Sequence, residues 1–393
     1  MKKLRLLFLS YFVLLIGFFV YSFTQVDLGL TMSKLPIYQA IEKPLQGLGF
    51  YQRPLSAVIF IIIVTLLVIF YCAFLYLVKK GKLGLKGLTI ITILTTIILA
   101  FSYNAFSYDL FNYIFDAKIV SFYHLDPYLY KASDFVGDPM LHFMRWTHRL
   151  YPYGPSWLIL TVPLSFLGMN YFLPTFFLFK ILMAMSFLGS CYLIYKISEK
   201  LFPANKLFNV AFFALNPLVL IETLVSAHND IPMIFFLLLS IYFFLQKKKT
   251  LSWVSNIFSI GVKFSTGALF PLFILLEFMD KIGKKINWEK FFITATILSL
   301  STVLLASIRT TFQPWYLVFP LSMAAFVSSK KYIAIPSVVA SIFATCIYIP
   351  YVLMADYAKG YPQIVQNIEL VGLSAVVFLT ICFTLREMYI SRR

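Results

Sequence analysis

Side chains that can do acid–base chemistry are concentrated in residues 102–155 of this otherwise apolar chain. The stretch holds five Asp, three His, two Lys and two Arg. Within it Asp109, Asn112, Tyr113 and Asp116 follow the i, i+3, i+4, i+7 spacing of one helix face. A carboxylate on such a face can take a proton from a hydroxyl group as a general base. The pattern therefore predicts a reactive site with Asp109 or Asp116 as the base.

The element that carries this face is predicted to be an amphipathic helix over residues 107–122, lying at the membrane surface. Apolar residues cover its other sides, namely Leu110, Phe111, Ile114 and Phe115. The alternative interpretation is that the two acidic residues only solvate an exposed helix.

Cationic and turn residues follow this helix. Arg145 and Arg149 are candidates for binding an anionic group, or for resting at the level of the lipid headgroups. Tyr153 lies in a Tyr-Pro-Tyr-Gly-Pro turn, in which each Pro fixes its φ angle. We expect Tyr153, Asn112 and Tyr113 to contact the sugar or the acceptor of a reaction at this site.

A second polar cluster, His228-Asn229-Asp230, stands between two apolar runs and just before Pro232. Three polar residues at a membrane edge need a partner or water. They are candidates for hydrogen bonds to a sugar or phosphate headgroup, and the alternative is a plain turn capped by the Asp. One His and one Asp make a weak metal site, so we expect no metal.

Two further cations are candidates for binding a phosphate. Lys263 interrupts an apolar stretch, and an intramembrane cation is a functional hypothesis because an unpaired buried charge is costly. Arg309 and Gln313 follow another apolar run, and Lys263 with Arg309 could clamp one phosphate electrostatically. The alternative for Arg309 is snorkelling at a helix end.

The elements that position these residues are membrane helices. The 393 residues are 61% hydrophobic and 12% charged, which excludes a water-soluble globule. A span takes roughly 20 apolar residues, and backbone within lipid must be helical. The apolar runs are residues 6–23, 55–78, 88–101, 171–195, 208–225, 232–245, 291–308, 315–327, 332–353 and 368–385. We predict an all-α polytopic bundle of about 10–13 membrane helices, with a large outer loop that carries short interfacial helices.

Topology follows from charge. The net charge of +17 comes from short basic clusters at the ends of apolar runs, which favours a positive-inside membrane protein over a nucleic-acid-binding one. Both termini are then cytoplasmic, and the polar stretch faces outside the plasma membrane. Residues 156–167 are too short to cross, and residues 251–277 are expected to form a hairpin broken near residues 263–267.

The predicted units are N-terminal membrane helices over residues 1–101, an extracytoplasmic catalytic loop over 102–155, a membrane core over 156–328 and C-terminal membrane helices over 329–393.

The chain resembles the GT-C integral-membrane glycosyltransferases, and most closely the polyprenyl-phosphate-mannose-dependent α-mannosyltransferases. The similarity rests on the order and predicted outside placement of several short motifs. These motifs are Tyr108-Asp109 with Tyr113 and Asp116-Ala117, Asp126-Pro127-Tyr128, Tyr153-Gly154-Pro155, Asn216-Pro217-Leu218, His228-Asn229-Asp230, Lys263 and Gln313-Pro314-Trp315-Tyr316. Two helices more than expected precede the loop, and Asp109 and Asp116 do not form the tight Asp-x-Asp of some members.

The resemblance implies an inverting hexosyltransferase, mannosyl first, in which Asp109 deprotonates an acceptor hydroxyl and the sugar leaves polyprenyl phosphate. Its partners would be a polyprenyl-phosphate sugar, a glycan or glycolipid acceptor and membrane lipids, without a cofactor or nucleic acid. The alternatives are a glycan ligase or polymerase that uses a diphosphate-linked donor, and a lipid-linked glycan transporter. A transporter would favour two matching halves, which the sequence does not display.

Overall fold

The structure is a computed structural model that describes residues 2–354 and 362–391, and every described element is helical. The all-α prediction is therefore confirmed. Met1 and residues 392–393, which belong to the predicted cytoplasmic ends, lie outside the described residues. The α-helices are α1 (Lys2–Ser22), α2 (Pro36–Gln46), α3 (Arg53–Lys79), α4 (Leu85–Ala100), α5 (Asp109–Ser121), α6 (Pro155–Leu167), α7 (Phe172–Leu201), α8 (Lys206–Ala214), α9 (Pro217–Leu220), α10 (Asp230–Leu245), α11 (Lys249–Val262), α12 (Phe270–Lys281), α13 (Trp288–Arg309), α14 (Val318–Ala324), α15 (Lys331–Cys346), α16 (Tyr348–Met354) and α17 (Gln363–Ser391).

Shorter helical turns join several of these helices. They are 3-10 turns at Phe23–Gln25, Ala132–Asp134, Pro139–His142, Pro203–Asn205, Phe264–Leu269, Pro314–Leu317 and Ala325–Val327, and π-helical segments at Gly47–Tyr51 and Ile221–Val225.

Six helical segments of the described chain are long and apolar enough to cross a membrane, which makes this a multi-pass membrane protein. They are α1, α3, α7, α13, α15 continued by α16, and α17. A seventh span is possible if Pro203–Ala214 and Pro217–Val225, which are bent by 54° at their junction, count as one.

The remaining predicted apolar runs are helical but shorter. They correspond to Leu85–Ala100, Asp230–Leu245 and Pro314–Val327, and Pro155–Leu167 is short as well. A helix of 16 residues rises about 24 Å, less than the roughly 30 Å of a hydrocarbon core. By length, therefore, six or seven of the ten predicted apolar runs qualify as full crossings.

Two local expectations concern helix continuity and exposure. The predicted break near Lys263 is confirmed, because α11 ends at Val262 and a 3-10 turn follows. The predicted helix at residues 107–122 exists as α5, and the rest of the chain encloses it, so the alternative of an exposed, solvated helix is wrong. Phe111 and Phe115 are fully buried, and so is nearly all of Asp116. The long loop of residues 122–154 covers α5, and α6 and α7 pack against it.

Close backbone approach fixes the start of α6 against the end of α11. A methyl group at Gly154 would lie 2.4 Å from the Gly261 carbonyl oxygen, and one at Gly261 would lie 2.2 Å from Ser156 Oγ. Glycine is required at Gly154, where the obstacle is backbone, whereas at Gly261 the nearest obstacle is the side chain of Ser156. The contact brings Tyr153 and Lys263, which neighbour these two glycines in sequence, to the same part of the molecule.

Candidate active site

Asp109 is the first residue of α5 and the most accessible carboxylate of a buried acidic cluster. Its backbone N–H donates to Ser107 Oγ at 3.1 Å, and its side chain is 17% exposed. A negative charge in the first turn of a helix interacts favourably with the helix dipole. Its Oδ2 atom lies 3.5 Å from His228 Nδ1. Asp109 is therefore held by the helix start on one side and by an imidazole on the other.

The His228 ring is placed by an unusual turn. Ala227 has a φ of 59°, a left-handed conformation that non-glycine residues rarely adopt and that costs free energy. The His228 N–H donates to the Glu222 carbonyl oxygen at 2.9 Å, which closes the turn. The imidazole stacks on the Trp315 ring, with centroids 4.0 Å apart and planes 20° apart. This turn buries His228 almost completely.

Glu222 lies on the far side of the same imidazole. Its Oε2 atom is 3.3 Å from His228 Nε2, and its Oε1 atom accepts a hydrogen bond of 2.7 Å from Tyr348. The two nitrogens are within ion-pair distance of carboxylates, although neither makes an aligned hydrogen bond. Asp109, His228 and Glu222 therefore form a carboxylate–imidazole–carboxylate row. Because Glu222 is fully buried, its charged form needs the imidazole as a partner.

Lys180 of α7 binds the backbone just before the His228 turn. Its ammonium donates to the carbonyl oxygens of Leu224 and Val225, the latter at 2.9 Å, and lies 3.4 Å from Ser102 Oγ. These carbonyls end the π-helical segment that carries Glu222, so the Lys180 amino group satisfies acceptors that the end of the segment leaves unpaired. The sequence reasoning missed Lys180, although a cation within an apolar run is itself a signal.

Lys263 pairs with an acidic residue of the second polar cluster. Its Nζ atom lies 2.7 Å from Asp230 Oδ2, and it stands 5.8 Å from the centre of the Tyr316 ring. The Lys263 side chain is 20% exposed, whereas that of Asp230 is 4% exposed. The ammonium therefore keeps access to a ligand, while Asp230 neutralises part of its charge.

Aromatic residues join the two polar clusters that the sequence singled out. The Tyr113 hydroxyl donates to Asn229 Oδ1 at 3.4 Å. The Tyr113 ring makes edge contacts with Tyr153 and Trp157, with centroids 5.4 Å and 5.3 Å away. Asn112, on the same helix, donates to the Trp146 carbonyl oxygen of the long loop at 3.2 Å.

The remaining predicted cations are not part of this cluster. Arg145 lies over the Tyr108 ring and 3.9 Å from Asp27, which places it beside the start of α5. Arg149 lies over Trp146. Arg309 ends α13 with an exposed side chain.

Lys263 forms an ion pair with Asp230, because the break after α11 directs the lysine to the start of α10. The use of Lys263 and Arg309 together as a phosphate clamp stays a prediction. Gln313 donates to Thr311 within its own loop at 3.0 Å, and its neighbour Trp315 is the residue that contacts His228.

The two candidate bases differ in their environment. Burial, and then the nearby charge of Asp109, raise the pKa of Asp116 to about 8. Asp116 is therefore protonated at neutral pH, and a protonated carboxyl group cannot act as the base that takes a proton from an alcohol. Asp109, which is partly exposed, suits the role of base better.

The raised pKa of Asp116 predicts a pH-dependent stability. Between pH 3.8, its ordinary pKa, and about 8, Asp116 is protonated in the folded protein and ionised in the unfolded chain. The unfolded state binds fewer protons there, so the free energy of unfolding falls as pH rises through this window.

We expect Asp116→Asn to weaken this fall, measured as melting temperature from about pH 5 to about pH 8. Asp126→Asn, at an exposed position of the long loop, is the matched control and should keep the wild-type slope. Equal slopes in all three proteins would contradict the assignment.

Among residues 2–354 and 362–391, no group of three or more His, Cys, Asp or Glu side chains is arranged to hold a metal ion. Residues 15–279, more than half of the chain, match the family model described as alpha-(1->6)-mannopyranosyltransferase, N-terminal domain. No curated protein and no solved structure matches the chain. The matched residues include Asp109, the His228 turn and Lys263, whereas Trp315 and Tyr348 lie beyond them.

Proposed function

This chain belongs to the alpha-(1->6)-mannopyranosyltransferase family, and we propose that it moves a hexose, mannose first, from polyprenyl phosphate to a glycan or glycolipid acceptor. The family makes it a glycosyltransferase. The lipid-phosphate donor, the inverting course and the residue roles are our proposal. The observation that supports it most is that Asp109 alone is accessible in an acidic cluster whose other members, Asp116, Glu222 and Asp230, are buried.

Asp109 is the proposed general base. Its carboxylate accepts the proton of the acceptor hydroxyl while the oxygen forms a bond to the anomeric carbon of the sugar. The bond between that carbon and the phosphate oxygen breaks, and its electron pair leaves with the phosphate. Attack from the side opposite to the leaving group inverts the anomeric configuration.

His228 and Glu222 are proposed to position the base rather than to touch the substrate. A base that is oriented by a third group is a recurrent arrangement in enzymes. His228 holds one oxygen of Asp109 from 3.5 Å, and Glu222 with the stacked Trp315 ring holds the imidazole. The second oxygen of Asp109 is then free to face the acceptor.

The leaving phosphate gains negative charge and needs cations instead of a general acid. Lys263 is the proposed contact, because its ammonium is partly exposed next to the His228 turn. Arg145, half-exposed beside Tyr108, is a second candidate. Arg149, which lies over Trp146, and Arg309, which is exposed at the end of α13, are further candidates. Asn112, Tyr113, Tyr153, Asn229 and Gln313 remain proposed contacts to the sugar or the acceptor. No metal or cofactor is part of this proposal.

An apolar groove supports a lipid-linked donor. A cavity of about 220 Å³ lies between α13, α14, α15 and α17, and its walls include Leu317, Ala340 and Val376. Leu317 follows Trp315 by two residues, so the groove begins close to the proposed sugar site. A polyprenyl chain is hydrocarbon and suits such a lining.

We further propose that the site faces outside the plasma membrane with both termini in the cytoplasm. The basic clusters at the ends of the apolar runs support this orientation.

Transfer in proteoliposomes tests the proposed function. Radiolabelled polyprenyl-phosphate-mannose, its glucose analogue and a diphosphate-linked sugar donor are each supplied with a crude acceptor pool and EDTA. We expect label to move to the acceptor from the mannosyl phosphate donor and to persist with EDTA. Transfer from the diphosphate donor alone would instead indicate a glycan ligase or polymerase. Movement of intact lipid-linked glycan without bond exchange would indicate a transporter.

A further inference from the structure

Helix α2 presents its apolar side chains to the surroundings of the protein. Ile37 is 75% exposed and Ile41 is 60% exposed, and Leu45 is half-buried one turn later. Their spacing of four residues places them along one stripe of the helix. Leu35, which precedes the helix, extends the stripe and is 64% exposed.

The opposite face of α2 is polar and is buried against the chain. Glu42 is 4% exposed and accepts hydrogen bonds from Thr31 Oγ1 at 2.7 Å and from the Met32 N–H at 3.4 Å. Gln46 Nε2 donates to the carbonyl oxygens of Val26 and Asp27 at 3.4 Å and 3.3 Å. A helix on a water-soluble surface buries its apolar stripe and exposes its polar one. Helix α2 does the reverse, so water is not the medium that this arrangement suits.

The position of α2 in the chain identifies that medium. It lies between α1 and α3, two helices that are long enough to cross the bilayer. The turn after α2 also packs tightly on the end of α1, because a methyl group at Gly49 would lie 1.8 Å from the Thr24 carbonyl oxygen. Helix α2 is therefore tied to one end of two spans, at the level where hydrocarbon meets headgroups.

Two exposed cations lie near the two ends of α2. Lys34 precedes the helix and Lys43 lies in its last turn, and both are exposed. Lysines that flank an apolar stripe are typical of helices that lie in the membrane plane, where they interact with anionic headgroups.

We propose that α2 is an in-plane membrane helix, which inserts Ile37 and Ile41 into the acyl boundary and places Lys34 and Lys43 among anionic lipid headgroups. The partner is thus the lipid surface. This inference is independent of the reaction catalysed.

The surface also has a route to the site. Gln46 binds the carbonyl of Asp27, and the side chain of Asp27 accepts a hydrogen bond of 3.4 Å from the Tyr108 hydroxyl. Tyr108 directly precedes Asp109. Asp27 and Tyr108 therefore connect Gln46 of α2 to the proposed base.

Depth-dependent fluorescence quenching tests this proposal on the full-length protein. Ile41→Trp is reconstituted in vesicles of phosphatidylcholine and phosphatidylglycerol, with bromine on the acyl chains. We expect bromine to remove about half of the fluorescence that the variant adds to wild type, and aqueous iodide to leave it. Val136→Trp is the control, since Val136 is 92% exposed on the long loop, and the expected result there is the opposite.

Two results would overturn the proposal. One is quenching of the added Trp by iodide but not by bromine. The other is cross-linking of Ile41→Cys to a second copy, which would make the stripe a dimer interface. Ile37→Trp repeats the measurement one turn earlier and guards against a local effect of one substitution. We also expect the fluorescence of Ile41→Trp to change with the fraction of phosphatidylglycerol. This change should disappear when Lys34→Gln and Lys43→Gln are combined with it.

Discussion

Replacing Asp109 by Asn is expected to lower kcat for sugar transfer by about 10²–10⁴-fold, the usual contribution of a general base. The amide keeps nearly the same volume but cannot accept the acceptor's proton. Asn is uncharged and the Asp109 side chain is partly exposed, so the substitution should not impair folding. The measurement is the initial rate of label transfer in proteoliposomes, together with the melting temperature of each protein.

Asp116→Asn is the matched comparison for this result. It lies on the same helix, and its side chain is already neutral at pH 7 because burial raises its pKa to about 8. We expect transfer at close to the wild-type rate. If Asp116→Asn is inactive while Asp109→Asn transfers normally, the base has been assigned to the wrong residue. If wild type itself transfers nothing from any of the donors, the proposed function fails.

Replacing Lys263 by Met is expected to have two separable consequences. Loss of the ammonium should raise KM for the donor by about ten-fold or more, since charge-assisted contacts to phosphate are worth about 1.5–3 kcal/mol. Loss of the ion pair also leaves Asp230 buried without its partner. Breaking a buried pair costs about 3–5 kcal/mol, and the value here should lie below that range because Lys263 is partly exposed. Donor KM, acceptor KM and melting temperature are measured together.

The double substitution Lys263→Met with Asp230→Asn separates these consequences. It removes both charges, so the melting temperature should recover most of what the single substitution loses. Donor KM should stay high while acceptor KM stays near wild type. Recovery of donor KM in the double variant would mean that Lys263 serves only to neutralise Asp230.

The helices and the polar clusters could be predicted because each depends on residues close in sequence. A run such as residues 55–78 is apolar throughout, and α3 occupies it. The break near Lys263 follows from polar and small residues within one stretch. The burial of α5 could not be predicted in this way, since it depends on where the loop of residues 122–154 folds back.

Pairings between distant residues were predicted least well. Lys263 and Arg309 are both cations near a membrane edge, and nothing in their local sequence reveals that Asp230 is 2.7 Å from one of them. Tyr348 and Trp315 contact Glu222 and His228 across large sequence separations. Trp315 belongs to a motif that the sequence singled out, but nothing in that motif identifies His228 as its partner. Many residues of the site could be predicted from the sequence, but the contacts between them depend on tertiary packing.

The contact of Lys180 with the end of the Glu222 segment has a consequence for biosynthesis. Helix α7 leaves the ribosome before Leu224 and Val225, whose carbonyls receive the ammonium in the finished protein. Until those residues arrive, the Lys180 amino group lacks its carbonyl partners, and the cost of about 2.5–3.5 kcal/mol for a lysine at the centre of a membrane helix is an upper value here, since Lys180 lies in the first third of α7. The strongly apolar remainder of α7 has to offset this cost during translation. The Lys180 amino group gains its carbonyl partners only once the turn that holds His228 has formed.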